Sequence, residues 1–345
     1  MTDWVLHVDL DQFIAAVEVL RHPELRGLPV VVGGDGDPAK RGVVSTASYE
    51  ARVHGVHSGL PLRTAARRSP DAVFLAVDRD AYEAASSTVM AALRELGYVV
   101  EVMGWDEAFV AVRTGDPEAV ARQIQHQIKT ASQLDCSVGI GQNKLQAKLA
   151  TNFGKPAGVF RLTHQNWFEL LGDRPTDALW GIGAKTAAKL AGAGLRTVRQ
   201  LAAADPAALA AQFGPATGPW LIQTARGIAS ADVSGEPYQA KGHGREVTFQ
   251  QNIEDWDEVV AQVRLLAGQV AQDLAAARQT AARIVVKIRY APFRTYTRGH
   301  ALAAPTQDPA AIEQGALTAL DRCPYRDPVR LLGVRAEFVT SPAAT

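Results

Sequence analysis

The stretch Trp4-Val5-Leu6-His7-Val8-Asp9-Leu10-Asp11 decides what kind of fold this chain adopts. Apolar and β-branched residues dominate it as far as Val8, and side chains alternate along a strand, so Asp9 and Asp11 emerge on the same side of the pleat. The pattern predicts a central β-strand that presents carboxylates at its exit. A helix is expected next, from about Gln12 to Leu20, as in an α/β or α+β core.

A second pair of strands carries two more carboxylates. The run from Tyr98 to Val112 is apolar on both sides of a tight turn, which predicts a hairpin with Asp106 and Glu107 at its turn. If its strand neighbours the first strand, these acids meet Asp9. Carboxylates that close raise one another's pKa unless divalent cations neutralise them, and two cations about 4 Å apart suit in-line phosphoryl or nucleotidyl transfer. The alternative is that these acids are ordinary turn residues.

Two further segments carry groups that bind phosphate. A strand is predicted at Gly42–Ser45 and a helix after it, on which Tyr49 and Arg52 are three residues apart and share a face. With Thr46 they would hold a polyphosphate, and Lys155, just past another predicted helix, would add a point charge. Each group has a structural alternative. Tyr49 could be a packed aromatic ring and Arg52 half of a surface ion pair. Lys144 and Lys148, on the helix before Lys155, could form a solvated helix face.

The rest of the chain divides by composition. An Ala- and Leu-rich region over 166–230, interrupted by prolines, predicts a small helical unit, and the stretch 230–244 predicts a linker. Beyond it, the order strand, helix, strand, strand, helix, strand predicts a sheet backed by two helices. In its second strand Arg283, Lys287 and Arg289 share one face, while the helices would cover the apolar face. The basic face would remain for a partner.

Composition narrows the class of protein. The chain has 345 residues, of which 47% are hydrophobic, with 36 basic and 36 acidic residues. This favours two to four packed domains over a disordered chain. Cys136 and Cys323 are far apart, so neither a disulfide framework nor a structural zinc site is predicted, and a cytoplasmic location is expected. Neither a secretion signal nor an apolar run of about 18 residues is found, so neither secretion nor membrane spanning is expected, and no membrane partner is expected.

Four segments, taken in order, resemble the signatures of a known family. They are VDLDQF at 8–13, STASYEAR at 45–52, WDEAF at 105–109 and SVGIGQNKLQAKLATNFGKPAG at 137–158. Together they resemble the Y-family translesion DNA polymerases, in their polymerase-IV branch. The resemblance continues through GIGAKTAAKL at 181–190 to LLGVRAEF at 331–338 and so covers nearly the whole chain.

The resemblance implies an α+β multidomain fold. The implied architecture is that of a right-hand polymerase with palm, fingers and thumb, followed by a βαββαβ little-finger domain. The implied boundaries are palm 1–10 and 75–165, fingers 11–74, thumb 166–232, linker 233–242 and little finger 243–345.

The resemblance also implies the residues of an active site. Asp9, Asp106 and Glu107, with the backbone carbonyl of Leu10, would bind two Mg²⁺ ions, for which Mn²⁺ could substitute. The residues implied to hold the incoming triphosphate are Thr46, Tyr49, Arg52 and Lys155.

Primer–template DNA is the implied macromolecular partner. Gly181, Gly183 and Lys185 resemble a helix-hairpin-helix element, whose backbone N–H groups contact phosphates without reading sequence, although a plain turn between helices is the alternative. The basic strand residues Arg283, Lys287 and Arg289 would add further DNA contacts. A monomer is expected, and the ending VRAEFVTSPAAT gives no support for a sliding-clamp partner.

Three departures from the family pattern carry information. Gly104-Trp105 stands before the two acids where the family has a small hydroxyl residue and an aliphatic one, which leaves the local packing open. The residues implied to cover the nascent base pair are all small: Gly34, Val43 and Ser45. Such a roof would tolerate distorted pairs and implies low fidelity.

The third departure is Ile14, at the position of the family's sugar gate, which is normally Tyr or Phe. An apolar pocket without an aromatic wall rejects an added hydroxyl only weakly, by about 10². The sequence therefore predicts a polymerase that accepts ribonucleotides as well as deoxyribonucleotides. The alternative is that Ile14 is simply a core helix residue.

The predicted function is template-directed, low-fidelity DNA synthesis by two-metal nucleotidyl transfer. One rival is a catalytically silent polymerase-like DNA-binding scaffold, which all three acids argue against. Another is a palm-type nucleotide cyclase, for which a thumb and a basic sheet face would be superfluous.

Overall fold

The computed structural model describes residues 1–339, which fall into two units. The first comprises Met1–Gly36, Ser45–Ser58 and Arg68–Pro237, and the second comprises Asp37–Val44, Gly59–Arg67 and the chain from Tyr238 onward. Residues 340–345 lie outside the described residues, and with them the end of the predicted little finger and the last six residues of the ending considered for clamp binding.

Strands and helices alternate through the first 161 residues, as the sequence predicts. They are β1 (Thr2–Leu10), α1 (Phe13–Arg21), β2 (Val30–Val32), β3 (Thr46–Ala47), α2 (Tyr49–Val53), α3 (Leu62–Arg68), β4 (Val73–Leu75), α4 (Arg79–Glu95), β5 (Val99–Val102), β6 (Glu107–Thr114), α5 (Pro117–Ser132), β7 (Cys136–Gly141), α6 (Lys144–Gly154) and β8 (Val159–Arg161). A 3₁₀ turn at Pro23–Leu25 follows α1.

The strand predicted at Gly42–Ser45 was wrong. Pairing with β2 begins at Ser45, whose N–H donates to the Val32 carbonyl at 2.8 Å, and the strand itself is Thr46–Ala47. The preceding residues bond instead to the segment at 59–62, because the Val44 N–H donates to Leu60 and the Leu62 N–H donates to Gly42.

A five-stranded sheet in the order β5-β6-β1-β7-β8 places β1 at its centre, with β6 and β7 antiparallel to it. Leu6, Val8 and Leu10 of β1 are buried on one face, in a core that includes residues of α4 and α5. His7 and Asp9 belong to the opposite face, against which α6 packs. A smaller sheet has the order β3-β2-β4.

Helix α6 approaches the sheet unusually closely because β7 contains glycine. A Cβ on Gly139 would lie only 2.0 Å from the Ala147 carbonyl oxygen, so no other residue fits there without moving the helix. This close packing brings Lys148 and Thr151 of α6 against the strand that carries the acids.

The chain from 166 to 230 is helical, as predicted. Its helices are α7 (Trp167–Leu171), α8 (Ala184–Gly192), α9 (Val198–Ala202), α10 (Pro206–Phe213) and α11 (Thr217–Ala225), with a 3₁₀ turn at Thr176–Ala178. Trp167 is fully buried among them, and its indole N–H donates to the Ala225 carbonyl at 2.8 Å.

The predicted βαββαβ order is confirmed in the second unit. Its elements are β9 (Gly242–Ile253), α12 (Trp256–Ala277), β10 (Ala281–Tyr290), β11 (Arg294–Thr306), α13 (Pro309–Asp321) and β12 (Val329–Glu337). The antiparallel sheet has the order β11-β10-β12-β9, and Ile284, Val286 and Ile288 of β10 are fully buried in a core shared with both helices. Among the described residues, no helix has the length and apolar character needed to cross a membrane.

Candidate active site

The predicted acids come from neighbouring strands. In the register of β1 with β6, Asp9 lies directly opposite Glu107. The Leu10 N–H donates to the carbonyl of Asp106 at 2.8 Å, which ties the hairpin turn to the end of β1. The expectation that these strands are neighbours in one sheet is therefore confirmed.

The acids differ in how their charge is balanced. Burial raises the pKa of Asp106, and the charges of Asp9 and Glu107 raise it further. The pKa of Glu107 falls to about 2, chiefly because His7 donates a hydrogen bond to it and also because Lys148 contacts it. Neighbouring carboxylates therefore disfavour the charged form of Asp106, whereas neighbouring donors favour the charged form of Glu107.

Helix α6 supplies cations to this cluster. Lys148 pairs with Glu107, and Lys155, which caps the end of the helix, pairs with Asp9. Lys144 instead binds Glu101 of β5 at 2.6 Å. The solvated helix face considered for Lys144 and Lys148 is wrong, because each has an acidic partner on the sheet.

His7 is a site residue that the sequence reasoning missed. Its Nε2 lies 3.2 Å from Glu107, and its Nδ1 lies 2.9 Å from the Thr151 hydroxyl. An ionised carboxylate only accepts, so Nε2 carries the proton, and burial lowers the pKa of the ring, which keeps it neutral. The sequence position of His7 could have identified it, because His7 precedes Asp9 by two residues and therefore lies on the same face of the strand.

The residues present fit divalent cations. Carboxylate oxygens of Asp9 and Glu107 and a ring nitrogen of His7 lie within 4.8 Å of one another, and carboxylates are the hard oxygen donors that Mg²⁺ and Mn²⁺ prefer. The His7 nitrogen that faces Glu107 carries a proton, so the carboxylates are the donors that fit a cation here. Asp106, which was predicted as a ligand, is not among these three residues. The negative charges of Asp9 and Glu107 nevertheless raise its pKa.

The predicted triphosphate residues fall into two places. Tyr49 and Arg52 are together on α2, with the guanidinium carbon 4.9 Å from the centre of the tyrosine ring. Thr46 precedes them in β3 and is partly exposed. Lys155 is with the acids, at Asp9. Burial raises the pKa of Tyr49, and its hydroxyl donates to Asp11 at 2.8 Å.

Ile14 is the second residue of α1 and is partly buried against the core of the first unit.

Of the predicted roof residues, Gly34 has φ +53° and Ser45 bonds to β2, whereas Val43 belongs to the second unit and is 54% exposed. The indole of Trp105 packs near the ring of Tyr82, at 6.4 Å between centroids. The sequence left open how this indole packs beside the two acids, and the structure shows that it packs near Tyr82.

The glycine pair of the helical region immediately precedes α8. Gly181 has φ +92°, which favours glycine, and Gly183 is the N-cap residue. Ile182 between them is buried, whereas Lys185 in the first turn is exposed. Both glycines are exposed, at the end of the helix where backbone N–H groups have no partner within the helix.

The predicted basic face of β10 is partly neutralised by its neighbours. Arg283 bonds to Glu337 of β12 at 3.1 Å, and Lys287 bonds to Glu246 of β9 at 2.6 Å. Arg289 has a neutral partner, the Thr295 hydroxyl at 2.8 Å. The sequence segment alone gave no sign of these acids, because they come from other strands of the sheet.

Family models cover most of the chain. The impB/mucB/samB family matches residues 8–152, its C-terminal domain matches 240–344, and a DNA polymerase-iota thumb domain matches 177–229. A DNA polymerase IV 2 of Mycobacterium tuberculosis is 48% identical over 339 residues, which is 97% of this chain and 98% of the relative. The chain belongs to the Y family of DNA polymerases.

Further comparisons agree with this family. A DNA polymerase IV of Methanoculleus marisnigri is 38% identical over 97% of this chain and 94% of its own length. The Y-family DNA polymerase chimera of Dbh and Dpo4 superposes with a TM-score of 0.86 at 26% identity, over 98% of this chain and 100% of the chimera. A solved insertion ternary complex of Dbh DNA polymerase gives a TM-score of 0.66 over 98% and 100%. The expected Y-family fold and DNA-directed DNA polymerase activity are confirmed.

Proposed function

We propose that this Y-family polymerase extends primers on imperfect or damaged templates by two-metal nucleotidyl transfer, and that it accepts ribonucleotides as well as deoxyribonucleotides. The observation that carries the proposal is the register that sets Asp9 opposite Glu107, next to Asp106 with its raised pKa. Its substrates are primer–template DNA and nucleoside triphosphates, as the ternary complex of Dbh polymerase suggests.

The residues at the cluster have separate tasks. Asp9, Asp106 and Glu107, with the Leu10 carbonyl, would hold two Mg²⁺ ions or Mn²⁺. When bound, these ions would lower the pKa of the primer 3′-hydroxyl and offset the charge of the departing pyrophosphate. His7 donates to Glu107 and thereby fixes the orientation of that carboxylate.

The cations around the cluster would orient the triphosphate. Lys155 already lies at Asp9, so its ammonium group is within reach of a phosphate bound there. Arg52 and Tyr49 would hold the phosphates from the α2 side, where the guanidinium stacks on the ring and has lost some of its freedom. Such preorganised positive groups stabilise the charge that develops during transfer.

Sugar selection is proposed to depend on Ile14, in the first turn of α1. Its side chain lacks the planar reach of the aromatic gate, so a 2′-hydroxyl would meet little resistance. Low fidelity is proposed from the small residues Gly34, Val43 and Ser45. The palm, fingers, thumb and little-finger boundaries given above are part of this proposal, as are a monomer and a cytoplasmic location, the latter supported by two buried free cysteines.

A primer-extension assay with a single ribo- or deoxyribonucleoside triphosphate and magnesium tests the proposal. Extension with both sugars supports it in full. Extension with deoxy substrates alone would reject the ribonucleotide part, and a folded protein that binds DNA without extending it would favour the silent scaffold.

A further inference from the structure

Asp11, the second acid of the first strand segment, is outside the group of converging ligand atoms. Its side chain is nevertheless almost completely buried, at 5% exposure, one residue past the end of β1. A buried carboxylate is costly unless several donors satisfy it, so its partners indicate what it is there to hold.

Three donors from three separate segments converge on this carboxylate. The Tyr49 hydroxyl of α2 donates to Oδ1 at 2.8 Å, and the backbone N–H of Ala157, after α6, donates to Oδ2 at 2.7 Å. The Ser137 hydroxyl of β7 contacts both oxygens, at 3.0 and 3.2 Å. One side chain therefore fixes α2 and the segment after α6 relative to the centre of the sheet.

One of these donors belongs to the proposed triphosphate site, and a second lies next to it in the chain. Tyr49 is itself a proposed phosphate contact, and Ala157 follows Lys155 by two residues. Ala157 has φ +51°, a left-handed conformation that is unfavourable for alanine and needs support from its surroundings. The bond from its N–H to Asp11 supplies such support and fixes the path of the backbone just after Lys155.

The adjacent Gln12 strengthens the hold on Tyr49. Its Oε1 accepts the backbone N–H of Tyr49 at 2.5 Å, while Asp11 accepts the hydroxyl at the other end of the residue. Arg52, stacked on the tyrosine ring, is held in turn through that ring.

We propose that Asp11 is a positioning residue for the incoming nucleotide, acting through Tyr49 and through the segment that carries Lys155. The inference rests on the proposed triphosphate contacts. Asp11 touches neither metal nor substrate in this role; it sets the geometry of groups that do. Loss of such positioning weakens nucleotide binding more than it weakens binding of primer–template DNA.

The structure offers a matched control. Glu18 of α1 is also buried and accepts a hydrogen bond from a tyrosine hydroxyl, that of Tyr82, at 2.6 Å, but it contacts no proposed substrate residue. Asp11→Asn and Glu18→Gln therefore make the same chemical change in the same unit. Their thermal unfolding and primer–template affinity are measured first, to show that both variants fold and bind DNA.

Asp11→Asn is expected to raise the KM for nucleotide about tenfold, the scale of one hydrogen bond to a charged group, with DNA affinity within about twofold of wild type. Equilibrium nucleotide binding to a dideoxy-terminated primer complex should weaken equally. Glu18→Gln should lose thermal stability with an unchanged KM. An unchanged KM in Asp11→Asn, or an equal rise in Glu18→Gln, would overturn the proposal.

A double-mutant cycle tests the route of the effect. If Asp11 acts through Tyr49, the nucleotide KM of the Asp11→Asn, Tyr49→Phe double variant should rise less than the product of the single effects. If Asp11→Asn does not fold, Tyr49→Phe against Tyr82→Phe tests the same contact, and equal KM values in that pair would contradict the proposal. A wild type that binds DNA but never extends it would instead reject the proposed function.

Discussion

Asp9 and Glu107 face each other across β1 and β6, and each carboxylate is paired with a lysine from α6 or its C-terminal end. One helix therefore supplies the counter-charges for acids on two strands. The spacing depends on the glycine-lined approach of α6 to β7. Asp106, next to Glu107, has a raised pKa in the same cluster.

Asp9 and Glu107 are paired with lysines while the pKa of Asp106 is raised, and this difference predicts how variants change thermal stability without metal. In a chelating buffer at neutral pH, Asp106→Asn should raise the melting temperature by about 1–2 °C, because it removes a charge that Asp9 and Glu107 repel. Glu107→Gln should lower it, because it weakens the bonds from His7 and Lys148. Calorimetric melts of the three proteins measure both effects. A lower melting temperature for Asp106→Asn would show that the repulsion is unimportant.

The second unit makes a prediction about DNA affinity. Arg289 has a neutral partner, whereas Arg245 is held by Asp273 at 2.6 and 2.8 Å. Arg289→Ala should therefore reduce the slope of log affinity against log salt by about 0.9, equally for unrelated DNA sequences, and Arg245→Ala should leave it unchanged. Fluorescence anisotropy at several salt concentrations gives the slopes. An unchanged slope for Arg289→Ala would show that this residue contacts no phosphate.

Sugar choice makes a third prediction. Wild type should incorporate matched ribo- and deoxyribonucleotides with an efficiency ratio near 10² or less, and Ile14→Phe should lose ribonucleotide use far more than deoxyribonucleotide use. Leu20→Phe, near the other end of α1 and also partly buried, is the control and should not alter the ratio. Single-turnover incorporation measures kcat/KM for each substrate. A wild-type preference for deoxyribonucleotides of about 10⁴ or more would reject the gate role of Ile14.

The sequence predicted those parts of the fold that depend on local pattern. Alternation along β1 and the hairpin at 98–112 predicted which strands carry the acids, and the order of elements beyond the linker predicted a sheet with two helices in the second unit. The strand predicted at Gly42–Ser45 was wrong, because local pattern did not show how residues 42–44 pair. Its backbone bonds to residues at 59–62, and such pairing depends on tertiary contacts rather than on the residues of the strand.

The sequence also predicted part of the candidate site, namely the acids, but not the partners that bind them. Asp9, Asp106 and Glu107 are carboxylates at strand ends, which a pattern identifies. The pairing of Lys148 with Glu107, of Lys155 with Asp9 and of Arg283 with Glu337 joins residues far apart in sequence. Spacing along one segment carries no information about such partners, so a lysine on a helix face gives the same pattern whether it is solvated or bound.

The most direct test of the proposed catalytic cluster compares primer extension by wild type, Asp106→Ala and Asp3→Ala at a fixed magnesium concentration. Asp3 lies on the same strand as Asp9 but is exposed and pairs loosely with Arg113 at 3.6 Å, so its variant should extend primers as wild type does. Asp106→Ala should bind primer–template DNA with nearly unchanged affinity and extend it at less than about 1% of the wild-type rate. Folded Asp106→Ala protein that keeps more than a few per cent of the wild-type rate would contradict the assignment of these acids to catalysis.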